Sequence, residues 1–203
     1  LPDLNLPISE EQIRSLRVGD TVSLTGIMYT ARDAAHKYMV ENFVQGETPA
    51  SEVSMLAELE QGLQGGIIYH CGPVVRKDEQ GKWHFVAAGP TTSIREEPYE
   101  YQVIERFGVR AVIGKGGMAD KTLQACQDHG AVYLHAIGGA ASLIARSVVE
   151  VVGLFKEEFG LPEAFWKIRV KDFQCVVTMD STGGSLHKVV EALSRENLQE
   201  ILK

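Results

Sequence analysis

A chain of 203 residues with 44% hydrophobic and 23% charged side chains has the make-up of a globular domain, and it is long enough to bury a sizeable core without staples. Its formal net charge of -7 repels phosphate backbones and argues against nucleic acid as a partner. No apolar run reaches the ~18 residues of a membrane span, and Leu1-Pro2-Asp3-Leu4 lacks the basic-then-apolar pattern of a signal peptide, so a cytoplasmic protein that touches no membrane is expected.

One α/β domain over residues 1–203 is the expected organisation. Ser9-Glu10-Glu11-Gln12 is a capping box and predicts a short helix ending near Val18-Gly19-Asp20. Residues 21–28 largely alternate polar and apolar, as in a half-buried strand. Thr30 with Asp33 is a second capping signature, opening a helix through about Val44. Residues 46–50 read as a loop, and residues 51–62 as an acidic, amphipathic surface helix. Gly65-Gly66 opens a strand over Ile67 to Cys71, stopped by Gly72-Pro73. The turn Asp78-Glu79-Gln80-Gly81 before Trp83 to Ala87 predicts a hairpin. Gly89-Pro90 ends that strand, and a helix follows from Pro98 to Phe107. From there strand and helix alternate: Val109 to Ile113, Met118 to His129, Ala131 to Ala136, then a long helix opened by Gly138-Gly139 and running to about Phe159. Such alternation argues for parallel strands with helical crossovers. Residues 164–179 are strand material again, and Ser181-Thr182-Gly183-Gly184 is a loop before a terminal helix. The fold class is α/β: a mixed sheet with an antiparallel portion first and strand–helix alternation in the second half.

Three places carry residues suited to chemistry. The first, Thr30 to Lys37, lies where a strand hands over to a helix N-terminus, which offers unpaired N–H groups and partial positive charge. Arg32 there can grip a carboxylate through two hydrogen bonds, and His36, four positions on, shares its helix face. A capped surface helix with charges facing water is the competing reading. The second, Ala88 to Arg95, sets Thr91, Thr92 and Ser93 beside Arg95 after a Gly-Pro turn, a donor-rich stretch free of carboxylates; a self-capped Ser/Thr loop fits equally well. The third, Ile113-Gly114-Lys115-Gly116-Gly117-Met118, follows an apolar strand, where glycines let the backbone approach an anion and Lys115 adds charge. It lacks Walker A spacing. Arg32, Arg95 and Lys115 with Thr91 and Thr92 would, if they converge, suit a ligand with two carboxylates. The Asp180 to His187 loop and His70 read as structural. Cys71, Cys126 and Cys175 are far apart, without a C-x-x-C, and read as small buried hydrophobes; a cluster held by all three is the competing view.

In order, Val18-Gly19-Asp20, Thr25-Gly26, Ala31 to Lys37, His70-Cys71-Gly72-Pro73, Ala88 to Arg95, Gly114 to Met118 and the Asp180-Ser181 loop resemble the β subunit of class I fumarate hydratases and L-tartrate dehydratases. The resemblance covers nearly the whole chain, with an acidic stretch at 47–62 that is longer than typical. It implies a swivelling β/β/α domain paired with an α subunit that carries a [4Fe–4S] cluster, in an α2β2-type assembly, with no metal on this chain. It implies hydration of fumarate to malate, with tartrate dehydration or a non-catalytic carboxylate-binding module as alternatives. By position it puts substrate binding on Arg32, Thr91, Thr92, Arg95, Lys115 and Gly116, and catalysis on Thr91, His36 and Lys115.

Overall fold

The computed structural model describes residues 2–202; Leu1 and Lys203 lie outside the described residues. A short strand, β1 (Asp3–Asn5), precedes the helix α1 (Glu10–Ser15). The capping box forms as the sequence predicts: Ser9 Oγ accepts the Gln12 N–H at 3.2 Å, and the Gln12 side chain accepts the Ser9 N–H at 3.1 Å. β2 (Thr21–Thr30) hands over to α2 (Asp33–Met39), which widens into a π turn over Val40–Val44, so helical structure runs to Val44 as expected. Thr30 is not its cap. It ends the strand, and its hydroxyl accepts the Trp166 N–H at 3.2 Å, while Arg32 occupies the cap position without a side-chain cap bond. Then come α3 (Val53–Leu63), β3 (Ile67–Tyr69), the predicted hairpin of β4 (Val74–Lys77) and β5 (Trp83–Ala87), and α4 (Glu97–Phe107).

β6 (Ala111–Gly114), α5 (Asp120–His129) and β7 (Val132–His135) continue the strand–helix alternation, and β2, β3, β6 and β7 lie side by side in parallel. The long helix expected from Gly138 to Phe159 does not form. α6 (Ala141–Ile144) is a single turn, and after a 3-10 turn the chain extends as β8 (Val148–Phe155). The pairs Val148-Val149 and Val151-Val152 explain this: β-branched side chains are stiff in a helix and pack well on a pleated surface. β8 finds its partner in β9 (Phe165–Met179), which runs antiparallel to β8, β7 and β2. The expected mixed sheet is present, but its antiparallel portion comes last rather than first: β1, β2 and β3 pair in parallel, the β4–β5 hairpin forms a separate sheet, and the antiparallel β2–β9 pairing closes β2-β3-β6-β7-β9 into a barrel, with β1 and β8 outside the ring. The terminal helix α7 (Leu186–Ile201) forms as predicted.

Alternation along the strands builds two apolar clusters. Ile67, Tyr69, Ala111, Ile113, Val132 and Leu134 pack with the inward residues of β9, α1 and the hairpin. Their neighbours Ile68, Val112 and Tyr133 pack against α2 to α5. Trp166 anchors the hairpin: Trp83 and Phe85 meet its ring edge-on at 5.3 and 5.6 Å, and its Nε1–H donates to the Leu161 carbonyl at 2.8 Å. The parallel order β2-β3-β6 sets three strand C-termini side by side, the edge at which α/β sheets collect ligands.

Candidate functional site

Each of the three segments singled out in the sequence lies at one of those strand ends. Arg32 follows β2, the Thr91 to Arg95 loop lies over the end of β3, and Lys115 follows β6. Backbone hydrogen bonds stitch the last two together: Thr91 N–H donates to the His70 carbonyl at 2.7 Å, Lys115 N–H to the Thr91 carbonyl at 3.2 Å, and Ser93 N–H to the Lys115 carbonyl at 3.0 Å. Arg95 pairs with Asp33, the residue after Arg32, which brings the loop to the start of α2. Arg32, Thr91, Thr92, Arg95, Lys115 and Gly116 thus form one continuous strip, exposed or partly exposed along its length. Gly116 and Gly117 hold φ of +81° and +80°, a left-handed pair that turns the chain sharply and that side chains resist. At Gly72 the reason for glycine is space: a Cβ would stand 2.6 Å from Arg32 Nη1 and 3.0 Å from the Pro162 carbonyl oxygen.

The strip's charge differs from the sequence expectation of a carboxylate-free donor set. Asp33 reaches Arg95 from α2, and Glu163 holds Arg32 at 3.1 Å, so two of the three cations carry a carboxylate of their own chain. Lys115 has no ion-pair partner among the described residues. Thr91 Oγ1 and Arg32 Nε are buried without a hydrogen-bond partner. Unpaired buried polar atoms are costly, and a ligand with polar oxygens can pair both.

Directly beneath lies a fully buried polar network that the sequence reading did not assemble. Glu100 Oε2 accepts from His36 Nε2–H and His70 Nε2–H, both at 2.8 Å. His36 Nδ1–H donates to the Arg32 carbonyl at 3.0 Å. His70 Nδ1 meets Ser93 Oγ at 2.8 Å, and the Tyr133 hydroxyl donates to Ser93 Oγ at 2.8 Å. Because both neighbours of His36 are acceptors, both of its nitrogens carry protons. Burial opposes that charge, yet the Glu100 carboxylate outweighs it and holds the His36 pKa above its ordinary value. Burial likewise pushes the Glu100 carboxyl up, but the His36 charge and both ring N–H bonds hold it down at about 2. Burial, aided by the His36 charge, lowers His70, which is neutral and takes the Ser93 proton at Nδ1.

The resemblance gives His36 a catalytic role, and the structure places it away from the surface of the strip. Its ring is 0% exposed and both nitrogens are engaged, so it cannot reach a substrate; it is a fixed cation under the strip. The signal for the network was present in α4: Glu96, Glu100, Val103, Ile104 and Phe107 recur at helical spacing, which puts two carboxylates on the buried face. Glu96 is buried as well. Asp33 Oδ1 and both Glu96 oxygens face no other donor, and the pair is satisfied when Glu96 keeps its proton and donates it to Asp33. Burial, with the Asp33 and Glu100 charges adding to it, raises the Glu96 carboxyl to about 8.

His36, His70 and Glu100 place three ligand-type atoms within 4.8 Å of one another, but both ring nitrogens donate to the same carboxylate oxygen, a hydrogen-bonded arrangement that leaves no lone pair for a metal. The cysteines do not converge: Cys126 sits in the apolar cluster against the helices, and Cys71 and Cys175 in the other. Burial raises all three thiols, Cys71 to about 12. These residues do not fit an iron–sulfur cluster, which needs thiolates. Asp180 is structural, as read from the sequence: it accepts the N–H groups of Val18, Thr182 and Gly184 at 2.9 to 3.0 Å. A cavity of about 720 Å³ between α7 and β9 shares only Gly116 with the strip. Among the described residues, no helix is long and apolar enough to cross a membrane.

Comparison with known proteins gives a consistent picture. The sequence model of the family described as Fumarase C-terminus matches residues 2–190. A Geobacillus stearothermophilus protein named as a class I fumarate hydratase is 54% identical over 97% of this chain; the chain spans only 35% of that protein's length. A Methanocaldococcus jannaschii protein named as an L(+)-tartrate dehydratase β subunit is 38% identical over 96% of this chain and 95% of its own. The L(+)-tartrate dehydratase β subunit of Escherichia coli is 38% identical over 90% of this chain and 85% of its own.

Proposed function

Since this chain belongs to the fumarase C-terminus family, we propose that it is the dicarboxylate-binding half of a hydro-lyase, working as a β subunit beside a partner that carries a [4Fe–4S] cluster. The observation that carries this reading is the strip of Arg32, Thr91, Thr92, Arg95 and Lys115 along the carboxyl ends of β2, β3 and β6, with Thr91 Oγ1 unpartnered. Fumarate is the preferred substrate, supported by the 54% identity to a protein named for it; tartrate is the alternative, supported by the β-subunit relatives that this chain nearly spans. An α2β2-type assembly in the cytoplasm, with this domain swivelling against the partner, completes the proposal.

In this reading the partner's cluster supplies a Lewis acid for the hydroxyl that is added or removed. The residues of this chain do the rest. Arg32 and Arg95 grip the two carboxylates through charge-assisted bonds, exchanging Glu163 and Asp33 for the substrate. Lys115, fixed beside Thr91 by its N–H bond to the Thr91 carbonyl, stabilises negative charge that grows on the substrate carboxylate. The Thr91 hydroxyl delivers a proton to the substrate carbon in hydration and takes it back in dehydration. Its partner-free, buried oxygen suits that role, with Lys115 and Arg95 favouring the alkoxide.

The test is anaerobic co-expression of the chain with a cluster-bearing subunit, followed by parallel assays on fumarate, malate and tartrate. Turnover is expected only in the pair, with Arg95→Ala lowering kcat/KM by roughly tenfold to a hundredfold through loss of one charged hydrogen-bond set. A pair that turns over none of the three, or an Arg95→Ala pair with unchanged kinetics, overturns the reading.

A further inference from the structure

We propose that the buried chain Tyr133–Ser93–His70–Glu100–His36 is a positioning device that refers the strip's separate segments to one carboxylate, so that Glu100, His36 and His70 govern ligand binding without touching the ligand. The inference rests on the dicarboxylate reading for the ligand's chemistry, but its geometry stands alone. Every segment of the strip ends on the network through its backbone. The Arg32 carbonyl accepts from His36 Nδ1–H at 3.0 Å. The Thr91 N–H donates to the His70 carbonyl at 2.7 Å. The Lys115 carbonyl accepts from the N–H of Ser93, whose hydroxyl meets His70 Nδ1 at 2.8 Å. Arg32, Thr91 and Lys115 come from three stretches of chain with no sequence proximity, and Glu100 Oε2 is the one atom to which all three connect.

The proton order along this chain is fixed by what each atom can do. Tyr133 O–H donates to Ser93, and Ser93 O–H donates to His70 Nδ1. His70 Nε2–H and His36 Nε2–H both donate to Glu100, and His36 Nδ1–H donates to Arg32. The bonds to the Glu100 carboxylate and to the Arg32 carbonyl have one sense only, because those oxygens accept and never donate, and with His70 neutral the Ser93 and Tyr133 hydroxyls take the order given. The charged and titratable groups that surround His36 are Glu100, Glu96 and His70, and of these Glu100 alone bears a full opposite charge against its ring. A network of this kind is rigid when complete and fails as a unit when one member is lost.

Two substitutions separate this role from bulk stability. Glu100→Gln keeps an acceptor oxygen for both rings and removes the charge. Ser93→Ala leaves the His36–Glu100 pair intact and cuts the link to the Thr91–Lys115 loop, so it remains informative if the first variant does not fold. Ring nitrogen NMR on the parent chain is expected to show His36 still doubly protonated at a pH where an ordinary imidazole has lost its second proton, and Glu100→Gln to lose that state. In Ser93→Ala the Thr91 and Lys115 amides are expected to exchange about tenfold faster, while Leu134 and Val177 amides in the barrel are unchanged. Malonate, a dicarboxylate that cannot react, is expected to bind about tenfold more weakly to both variants. A neutral His36 in the parent, or loop amides that speed up only in step with Leu134 and Val177, overturns the proposal. If the parent binds no malonate, the dicarboxylate reading fails, and the ring and exchange results still decide the positioning role.

Discussion

Glu96 sits where a carboxylate is hardest to keep charged, at the foot of the Arg95 loop with Asp33 on one side and Glu100 below. Its folded pKa of about 8 stands above the ordinary 4.5, so the stability it lends is complete below pH 4.5 and is lost as pH climbs toward 8. Glu100 works the other way: held at about 2, it stabilises the fold above pH 4.5 and ceases to do so as pH falls toward 2. Urea unfolding at a series of pH values should therefore show Glu96→Gln gaining on the parent between pH 5 and pH 8. Parallel curves across that window would remove the case for a neutral Glu96. A second residue-scale expectation concerns Gly72. Its missing Cβ makes room for Arg32 Nη1, so Gly72→Ala should displace the arginine and weaken malonate binding, at a stability cost of about 1–3 kcal/mol from crowding the Pro162 carbonyl. Calorimetry that finds parent-like affinity would show that Arg32 does not need that gap. At this scale the sequence was generous for exposed residues, and for buried ones it showed only that Glu96 and Glu100 share the buried face of α4. Arg32, Thr91, Arg95 and Lys115 stand beside glycines and strand ends that announce a loop, whereas the partners of His70 and Glu100 are 23 to 64 residues away, a distance that no local pattern records.

At the scale of elements, legibility follows how local the decisive contact is. The α1 capping box is legible because donor and acceptor lie three residues apart. The segment after Gly139 is legible only in part: its β-branched pairs favour extension locally, but the outcome was decided by β9, the later strand against which Val148 to Phe155 pairs. The start of α5 shows the same reach. Ala119 occupies its cap and has no side chain to offer, so Glu97 from the first turn of α4 takes its place, accepting the N–H groups of Ala119, Lys121 and Thr122 at 2.9 to 3.2 Å and the Thr122 hydroxyl at 2.7 Å. One carboxylate thereby ties the end of the Thr91 to Arg95 loop to the end of the Lys115 to Met118 loop. Glu97→Ala should cost about 1–2 kcal/mol in urea unfolding, the usual value of a lost N-cap, and should weaken malonate binding as well. Loss of stability with parent-like malonate affinity would limit Glu97 to capping.

For the molecule as a whole, barrel closure by β9 decides what is essential. The strip needs β2, β3 and β6 in parallel order, and that order is held by α2, α4 and α5 on one side and by the β2–β9 seam on the other. The strand–helix alternation made the parallel part readable; the seam was not, since it joins residues 21–30 to residues 166–176. α7 stands outside this scheme. No residue of Leu186–Ile201 is buried, and Val189, Val190, Leu193, Leu198 and Ile201 are more than half exposed. Only its first turn is tied in: Ser185 caps the helix, and the His187 ring, bonded to Thr178 at 3.0 Å, fills the space beside Gly117 where a Cβ would come within 2.5 Å. Two truncations separate these contributions. A chain ending at Lys188 should melt within about 3 °C of the parent, because the removed residues leave no cavity and no unpaired buried group. A chain ending at Gly184 should melt lower than that and exchange its Gly116 and Gly117 amides faster, since the His187 ring no longer holds the turn that carries Lys115. Equal melting of the two would assign His187 no part in the strip, and a large loss on removing only residues 189–203 would mean that α7 packs against the barrel more tightly than its exposed side chains allow.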